Sequence, residues 1–314
     1  MHGRERARAR KRLRSTVPFV LGAFLLGACA SLGTAPTPQP TPQPSPTPIP
    51  HPTGANELVL RIETSGGLIP PFRLVNELPE FSLYGDGTVV TLGPQILIYP
   101  PPALPNVLRS RLSEEGIQAL LREAAAAGLL AGDADYPMEG IADAPTTFFT
   151  VNAGGRISRV SVYALGLEDP DDPRLSPEQR VARQRLAEFA RKARDFLAWL
   201  PPETILERET PYVVTRLQLV AFPAEAAEPP PSDVLVSTLD WPLPTPLRDF
   251  GDPAPWIGPT ARCAVVSSRK ELPRLLDELR RANALTRWRS DSELYTLLVR
   301  PLLPDEPGCV PKQW

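Results

Sequence analysis

The sequence predicts an α+β fold, a mostly antiparallel sheet with helices packed on one face. Three observations carry this prediction. Two strand pairs close around glycine turns, in "FSLYGDGTVVTL" and around "NAGGR"; each pair is followed by a segment with apolar residues at helical spacing; and the C-terminal third reads strand, helix, strand. A doubly wound parallel sheet would alternate strand and helix throughout, without glycine hairpins.

Each element has its own signature. Residues 58–64 place Leu58, Leu60 and Ile62 on one face of a strand. The hairpin that follows turns at Gly85, Asp86 and Gly87. Residues 96–99 and 107–112 are expected to add strands. Ser113 stands as the N-cap of a helix whose face is Ile117, Leu120, Leu121 and Ala124, with Glu114 and Glu115 in its first turn and Gly128 near its end. Strands over 146–152 and 157–164 flank the second glycine turn. Ser176, Pro177 and Gln179 then give a cap, a first-position proline and a capping-box partner. Ala182, Leu186, Phe189, Ala193, Phe196 and Leu197 line that helix until Pro201 and Pro202 stop it. A strand over 212–222 opens a third unit. Residues 223–259 hold ten prolines and are expected to form an ordered surface excursion, because proline cannot sit in a central strand. A strand over 262–267, a helix carrying Leu272, Leu275, Leu276 and Leu279, and a strand over 293–300 finish the chain. The folded part then divides into α+β domains or subdomains over 56–205 and 206–314.

Ahead of it lies a segment of another kind. Seven Lys/Arg residues between Arg4 and Arg14 precede an apolar run over 17–26, the length of a secretory signal and too short for a membrane span. Leu26, Gly27 and Ala28 lead directly into Cys29, and this order resembles the lipobox of bacterial lipoproteins. The resemblance implies that residues 1–28 are a signal peptide and that Cys29 receives a lipid, anchoring an extracytoplasmic protein to a bacterial membrane. From Pro36 to Pro52 every second residue is proline. With φ fixed and no amide donor at those positions, residues 29–55 are expected to be an extended spacer, roughly 50 Å long at about 3.1 Å per residue.

Without residues 1–28 the chain has 27 basic and 35 acidic residues, a formal net charge of −8. No Lys/Arg run remains, which disfavours nucleic acid, whose affinity rests on clustered cations, and leaves membrane contact to the lipid on Cys29. The phrases "SGGLIPPF", "LPEFSLYGDGTVV", "GPQILIYPPPALPNV" and "LSEEGIQALL" resemble a group of secreted bacterial lipoproteins whose activity is uncharacterised, most strongly over about residues 58–130. That resemblance implies secretion and supplies no site residues.

The chemistry is argued from side chains. The two histidines are His2, in the signal segment, and His51, in the spacer, so the folded part is expected to hold none. This argues against histidine-based triads, histidine general bases and histidine-ligated metals. No dinucleotide or phosphate loop pattern occurs, and no cofactor is implied. Ser267, Ser268, Arg269 and Lys270 read S-x-x-K, as in penicillin-binding proteins and β-lactamases. Pro273 is tolerated only in a first turn, however, so the helix starts near Lys270 and Ser267 falls in the preceding loop as a turn or cap residue. Two acidic loops, Asp133, Asp135, Glu139 and Asp143, then Glu168, Asp169, Asp171 and Asp172, offer oxygen ligands without the EF-hand pattern and are read as solvated. Trp241, Trp256 and Trp288 are read as core or loop anchors. With Cys29 acylated, Cys263 and Cys309 are the two remaining cysteines, and an oxidising compartment favours their pairing. The reading is a non-catalytic module that binds a protein partner in the cell envelope, through its sheet or the excursion over 223–259. The alternatives are a hydrolase using carboxylates or Ser267 with Lys270, and a solute-binding lipoprotein.

Overall fold

Strands with one apolar face need a helix layer over that face, and the order of elements supplies it. The structure, a computed structural model, describes residues 47–69, 71–169, 171–227 and 232–310, all within the compact unit Thr47–Trp314. Its first sheet contains β1 (Leu58–Gly66), β2 (Phe81–Tyr84), β3 (Thr88–Leu92), β4 (Val107–Leu112), β5 (Ala134–Tyr136), β6 (Pro145–Ala153), β7 (Arg156–Tyr163) and β8 (Ile205–Pro211). Their order is β5-β7-β6-β1-β2-β3-β4-β8, antiparallel throughout except where β5 runs beside β7. Helices α1 (Glu114–Ala126), α2 (Pro177–Arg194) and α3 (Phe196–Trp199) cover one face. Phe81, Leu83, Val89, Phe149 and Val162 from the sheet meet Ile117, Leu120 and Leu121 of α1, Leu186 and Phe189 of α2, and Phe196 of α3. Phe81 stands edge-on to Phe196, with ring centroids 5.9 Å apart. Ser176 and Gln179 close the expected capping box. Buried Arg183 ties α2 to the sheet by donating to Glu168 and to the carbonyls of Tyr136 and Tyr163, at the ends of β5 and β7.

The second sheet contains β9 (Leu217–Pro223), β10 (Thr238–Asp240), β11 (Asp252–Pro253), β12 (Arg262–Val266), β13 (Arg287–Ser290) and β14 (Glu293–Pro301), in the order β10-β13-β14-β9-β12-β11. Helix α4 (Glu271–Leu279) packs Leu272, Leu275 and Leu279 against Leu217, Leu219 and Val299, beside Trp288. Both sheets are thus mostly antiparallel, and the class is α+β as expected.

A partly buried ionic staple joins the sheets. Arg61 of β1 donates to Asp305 at 2.7 Å, Tyr84 of β2 donates to the same carboxylate oxygen at 2.8 Å, and Arg61 also reaches Ser82. The tail carrying Asp305 is held in turn by a two-pronged bond from Arg300 of β14 to Glu306, at 2.7 and 2.6 Å. Around this staple Tyr84, Val90 and Val107 pack with Leu78 and Leu303. Burial works against the Arg61 charge, but Tyr84, Asp305 and Glu306 together hold its pKa above the usual arginine value.

The sequence expectations need several corrections. The boundary between 205 and 206 does not hold, because β8 completes the first sheet as far as Pro211. Residues 212–216 are not strand; β9 starts at Leu217. Residues 96–99 pair with no strand and lie in the connection between β3 and β4. Ser113 precedes α1 as expected, yet its hydroxyl donates to the Glu115 carboxylate instead of accepting a helix N–H. The described part of 223–259 is less a surface excursion than a wrapping: it supplies β10 and β11 at opposite edges of the second sheet and buries Leu243, Leu247, Phe250 and Ala254. Edge positions suit a proline-rich chain, since an edge strand has amides that need no ladder partner. The spacer also ends earlier than residue 55, as the geometry below shows.

Candidate functional site

The residues singled out by sequence do not converge on one place. Cys29, with the rest of residues 1–46, lies outside the described residues. Cys263 of β12 and Cys309 of the tail are joined by a disulfide, with Cα atoms 5.6 Å apart. Ser267 and Lys270 are both exposed in the link from β12 to α4, where the Ser268 hydroxyl accepts the Lys270 N–H and the Ser268 carbonyl accepts the Leu272 N–H. Ser268 therefore serves as a turn residue ahead of the helix. In the acidic loops Asp133 accepts the Arg159 N–H, Asp135 accepts the Ser161 hydroxyl and Glu168 accepts from Arg183. Arg174 bonds Asp172 and holds its carboxyl down to about 2. Among the described residues no three His, Cys, Asp or Glu side chains gather closely enough to hold a metal ion. Trp288 is buried and Trp241 packs edge-on against it and Phe250, as core anchors do.

His51 corrects an expectation. It belongs to the folded unit, with a side chain only 4% exposed. Its Nδ1 lies 2.6 Å from the Pro52 carbonyl oxygen and its Nε2 3.1 Å from the Glu114 carboxylate of α1. Two residues earlier, Gln118 grips the Ile49 backbone as a strand would, accepting its N–H at 2.8 Å and donating to its carbonyl at 2.9 Å. The Pro50 carbonyl accepts the Gly154 N–H, and the Ile49 side chain packs on the core. Alternate prolines leave the residues between them as the only N–H donors, and Ile49 uses its own here. With both ring nitrogens engaged, His51 acts as a clasp at the start of the fold.

These contacts fix where the chain enters. Register places the hairpin turns at Gly87 and Gly154, and the start of α1, at one end of the first sheet, and Ile49 to Pro52 dock there. At the opposite end Gly66 faces Pro145 and Leu92 faces Val107. Several connections leave from that opposite end, among them those after β1 and β3. The one after β1 exposes Leu68 at 85%, and the one after β3 exposes Ile96, Leu97, Ile98 and Tyr99 at 65, 99, 58 and 62%.

The second connection has built ends and a bare middle. At its base Gln95 donates to the carbonyls of Gly93 and Asn106, Asn106 donates its amide to Pro94, and the Gly93 N–H bonds the Asn106 carbonyl. Further on, the Ala103 N–H bonds Ala282 and the Pro101 carbonyl accepts the Ala284 N–H, while Ala103 and Leu104 join the second core. Between these pins residues 96–99 run without a turn as far as Ile98, and their backbone groups have no hydrogen-bond partner among the described residues. From Gly93 to Asn106 the sequence carries no charged side chain. We call residues 96–99 the arm. The sequence shows its β-preference and is read as a further strand; the flanking prolines and the missing charges are the available signal that it is left unpaired.

Two small cavities open elsewhere on the unit. One of about 280 Å³ is lined by Pro223, Arg248, Pro253, Pro259, Arg262 and Tyr295; there Arg262 donates to the carbonyls of Phe250 and Gly251, and Tyr295 to Glu293. The other, about 120 Å³, lies beside Arg300 and Glu306, which bond each other. Their principal polar groups are thus already satisfied by the protein. No helix among the described residues is long and apolar enough to cross a membrane. No family model matches the chain, and no curated protein or solved structure is similar to it.

Proposed function

We propose that this chain is a non-catalytic, lipid-anchored extracytoplasmic binding module. In this reading Cys29 carries the lipid, the proline spacer leads from the membrane, and the unit Thr47–Trp314 presents a surface to a protein partner in the cell envelope. One observation carries it. The chain enters the first sheet at the turn end, held by Gln118 and His51, while a charge-free apolar arm is pinned open at the other end. An apolar patch left exposed on a folded domain marks a site of contact, and here it lies at the end of the first sheet opposite the docked residues 49–52. The arm replaces the excursion over 223–259 as the favoured surface, because the described part of the excursion buries Leu243, Leu247 and Phe250 and leaves Leu235 as a lone strongly exposed leucine, where the arm has four exposed apolar side chains in a row.

The test has two parts. Acyl-chain labelling in a bacterial host should mark the wild-type chain and not Cys29→Ser; an unlabelled, fully soluble wild type overturns the anchor. Peptidase, esterase, glycosidase and β-lactam substrates should show no turnover. Turnover lost in Ser267→Ala, or in a carboxylate variant, overturns the non-catalytic reading in favour of a hydrolase.

A further inference from the structure

The arm's backbone narrows what can cover it. A lipid surface or small apolar ligand would bury Ile96, Leu97, Ile98 and Tyr99 while leaving their N–H and C=O groups without partners, a cost of the kind that excludes bare strands from hydrocarbon. A second strand covers the side chains and also pairs the backbone groups of alternate residues, which neither of those can do. We propose that the arm pairs with the arm of a second copy of this chain, as an antiparallel strand pair about a two-fold axis. This deepens the binding-module reading and rests on it.

Three features of the molecule favour a second copy. The arm and its flanks carry no charge, so two arms meet without the repulsion that a net acidic protein otherwise brings to self-association. A two-fold pair centred on the most exposed residue sets Leu97 opposite Leu97 of the second copy and Ile96 opposite Ile98, burying like against like. The sheet edges offer no competing template: β5 and β10 have three residues, β11 has two, and β8 carries Glu207, Arg208, Glu209 and Pro211. The arm is an unpaired β-prone segment with four exposed apolar side chains in a row.

The area sets the strength. Four side chains at these exposures present on the order of 400 Å² per copy. Two copies then bury less than the roughly 1,200 Å² of a stable interface, so the dimer is weak in solution, with a dissociation constant on the order of 100 μM. Copies anchored in one membrane would meet at higher effective concentration.

The test uses the chain from residue 29 onward with Cys29→Ser, which retains the whole unit, in sedimentation equilibrium from about 5 to 500 μM. The wild type should show a reversible dimer. Leu97→Asp and Leu97→Lys, changes at a side chain with no packing to lose, should each weaken it at least about tenfold by setting like charges face to face. Mixing the two variants should restore a heterodimer. Leu235→Asp, on an equally exposed leucine elsewhere, should leave the dimer intact. A wild type monomeric throughout the range overturns the proposal, as does a dimer indifferent to Leu97→Asp or a failed heterodimer. Flotation of the wild type, and not Leu97→Asp, with neutral phosphatidylcholine vesicles would assign the arm to lipid and also overturn it. Each of these leaves the binding-module reading standing; substrate turnover is what removes that.

Discussion

Asp305→Ala breaks the ionic staple at its centre, and its cost can be worked from the geometry. The substitution removes the acceptor 2.7 Å from Arg61 and 2.8 Å from the Tyr84 hydroxyl. The guanidinium stays in place, its side chain 14% exposed, and its nearest remaining carboxylate is Glu306 at 4.0 Å. Breaking a fully buried pair costs about 3–5 kcal/mol, because the orphaned charge is stranded. Partial exposure and the residual Glu306 contact place this case at the lower end, about 3 kcal/mol. In a unit of this size that lowers the melting temperature by about 6–12 °C. Thermal unfolding followed by circular dichroism checks it. Arg61→Met with Asp305→Leu removes both charges and should recover most of the loss, since an apolar pair of similar volume replaces a buried ion pair at little cost. An Asp305→Ala melting point within about 2 °C of wild type refutes the assigned magnitude. A double variant as unstable as the single one refutes the stranded charge as its cause. Two separate melting transitions in the wild type would refute the staple as the element that makes the sheets unfold together.

Three further outcomes follow from named contacts. Cys309→Ser opens a bond spanning 46 residues, and the chain-entropy estimate is about 4 kcal/mol, so its melting point should fall by about 8–16 °C; non-reducing peptide mapping that finds free thiols in the wild type would contradict the bond itself. Burial pushes the Glu306 carboxyl up, but the bonds and charge of Arg300, with Arg61, outweigh it and hold the group below the usual carboxylate range. The unfolded chain therefore takes up the proton first, and the stability that Glu306 supplies is complete above about pH 5 and lost as pH falls through the lowered folded value; Glu306→Gln should flatten that acid limb in a melting-temperature series. Gly87→Ala should destabilise by about 2 kcal/mol or more, measured by urea unfolding, because φ is +85° and a Cβ would lie 2.2 Å from the Leu112 carbonyl oxygen.

What was legible in the sequence is what local chemistry decides. The turn at Gly85 to Gly87, the capping box of Ser176 and Gln179, and the helical spacing of Leu272, Leu275 and Leu279 each involve neighbours within a few residues, and each appears as read. The missed strands depend on distant partners. Tyr136 joins a three-residue strand through β7, and β8 carries no strand signature of its own because it is an edge that needs few apolar residues. The end of the spacer was hidden for the same reason. Nothing between Pro46 and Pro52 marks Ile49 or His51 as docked, because Gln118 and Glu114, which hold them, lie more than 60 residues away.

The arm shows why the distinction bears on function. Its side chains carry a strand preference, and its position deprives it of a strand to pair with, so local propensity and tertiary context disagree at residues 96–99. Such conflicts in natural sequences collect at functional sites, where a preference is kept unsatisfied for a partner to meet. The flanks fit this reading. Pro94 bounds the segment on one side and Pro100, Pro101 and Pro102 on the other. Proline lacks the N–H a growing ladder requires, so the pairing stops at the arm's own length and is barred from zipping onward into the long, flat stacks that make apolar edges aggregate. An arm evolved only to avoid contact would carry a charge at Leu97, the simplest remedy and one the fold would tolerate at no packing cost. Prolines on either side with no charge within limit the pairing without preventing it.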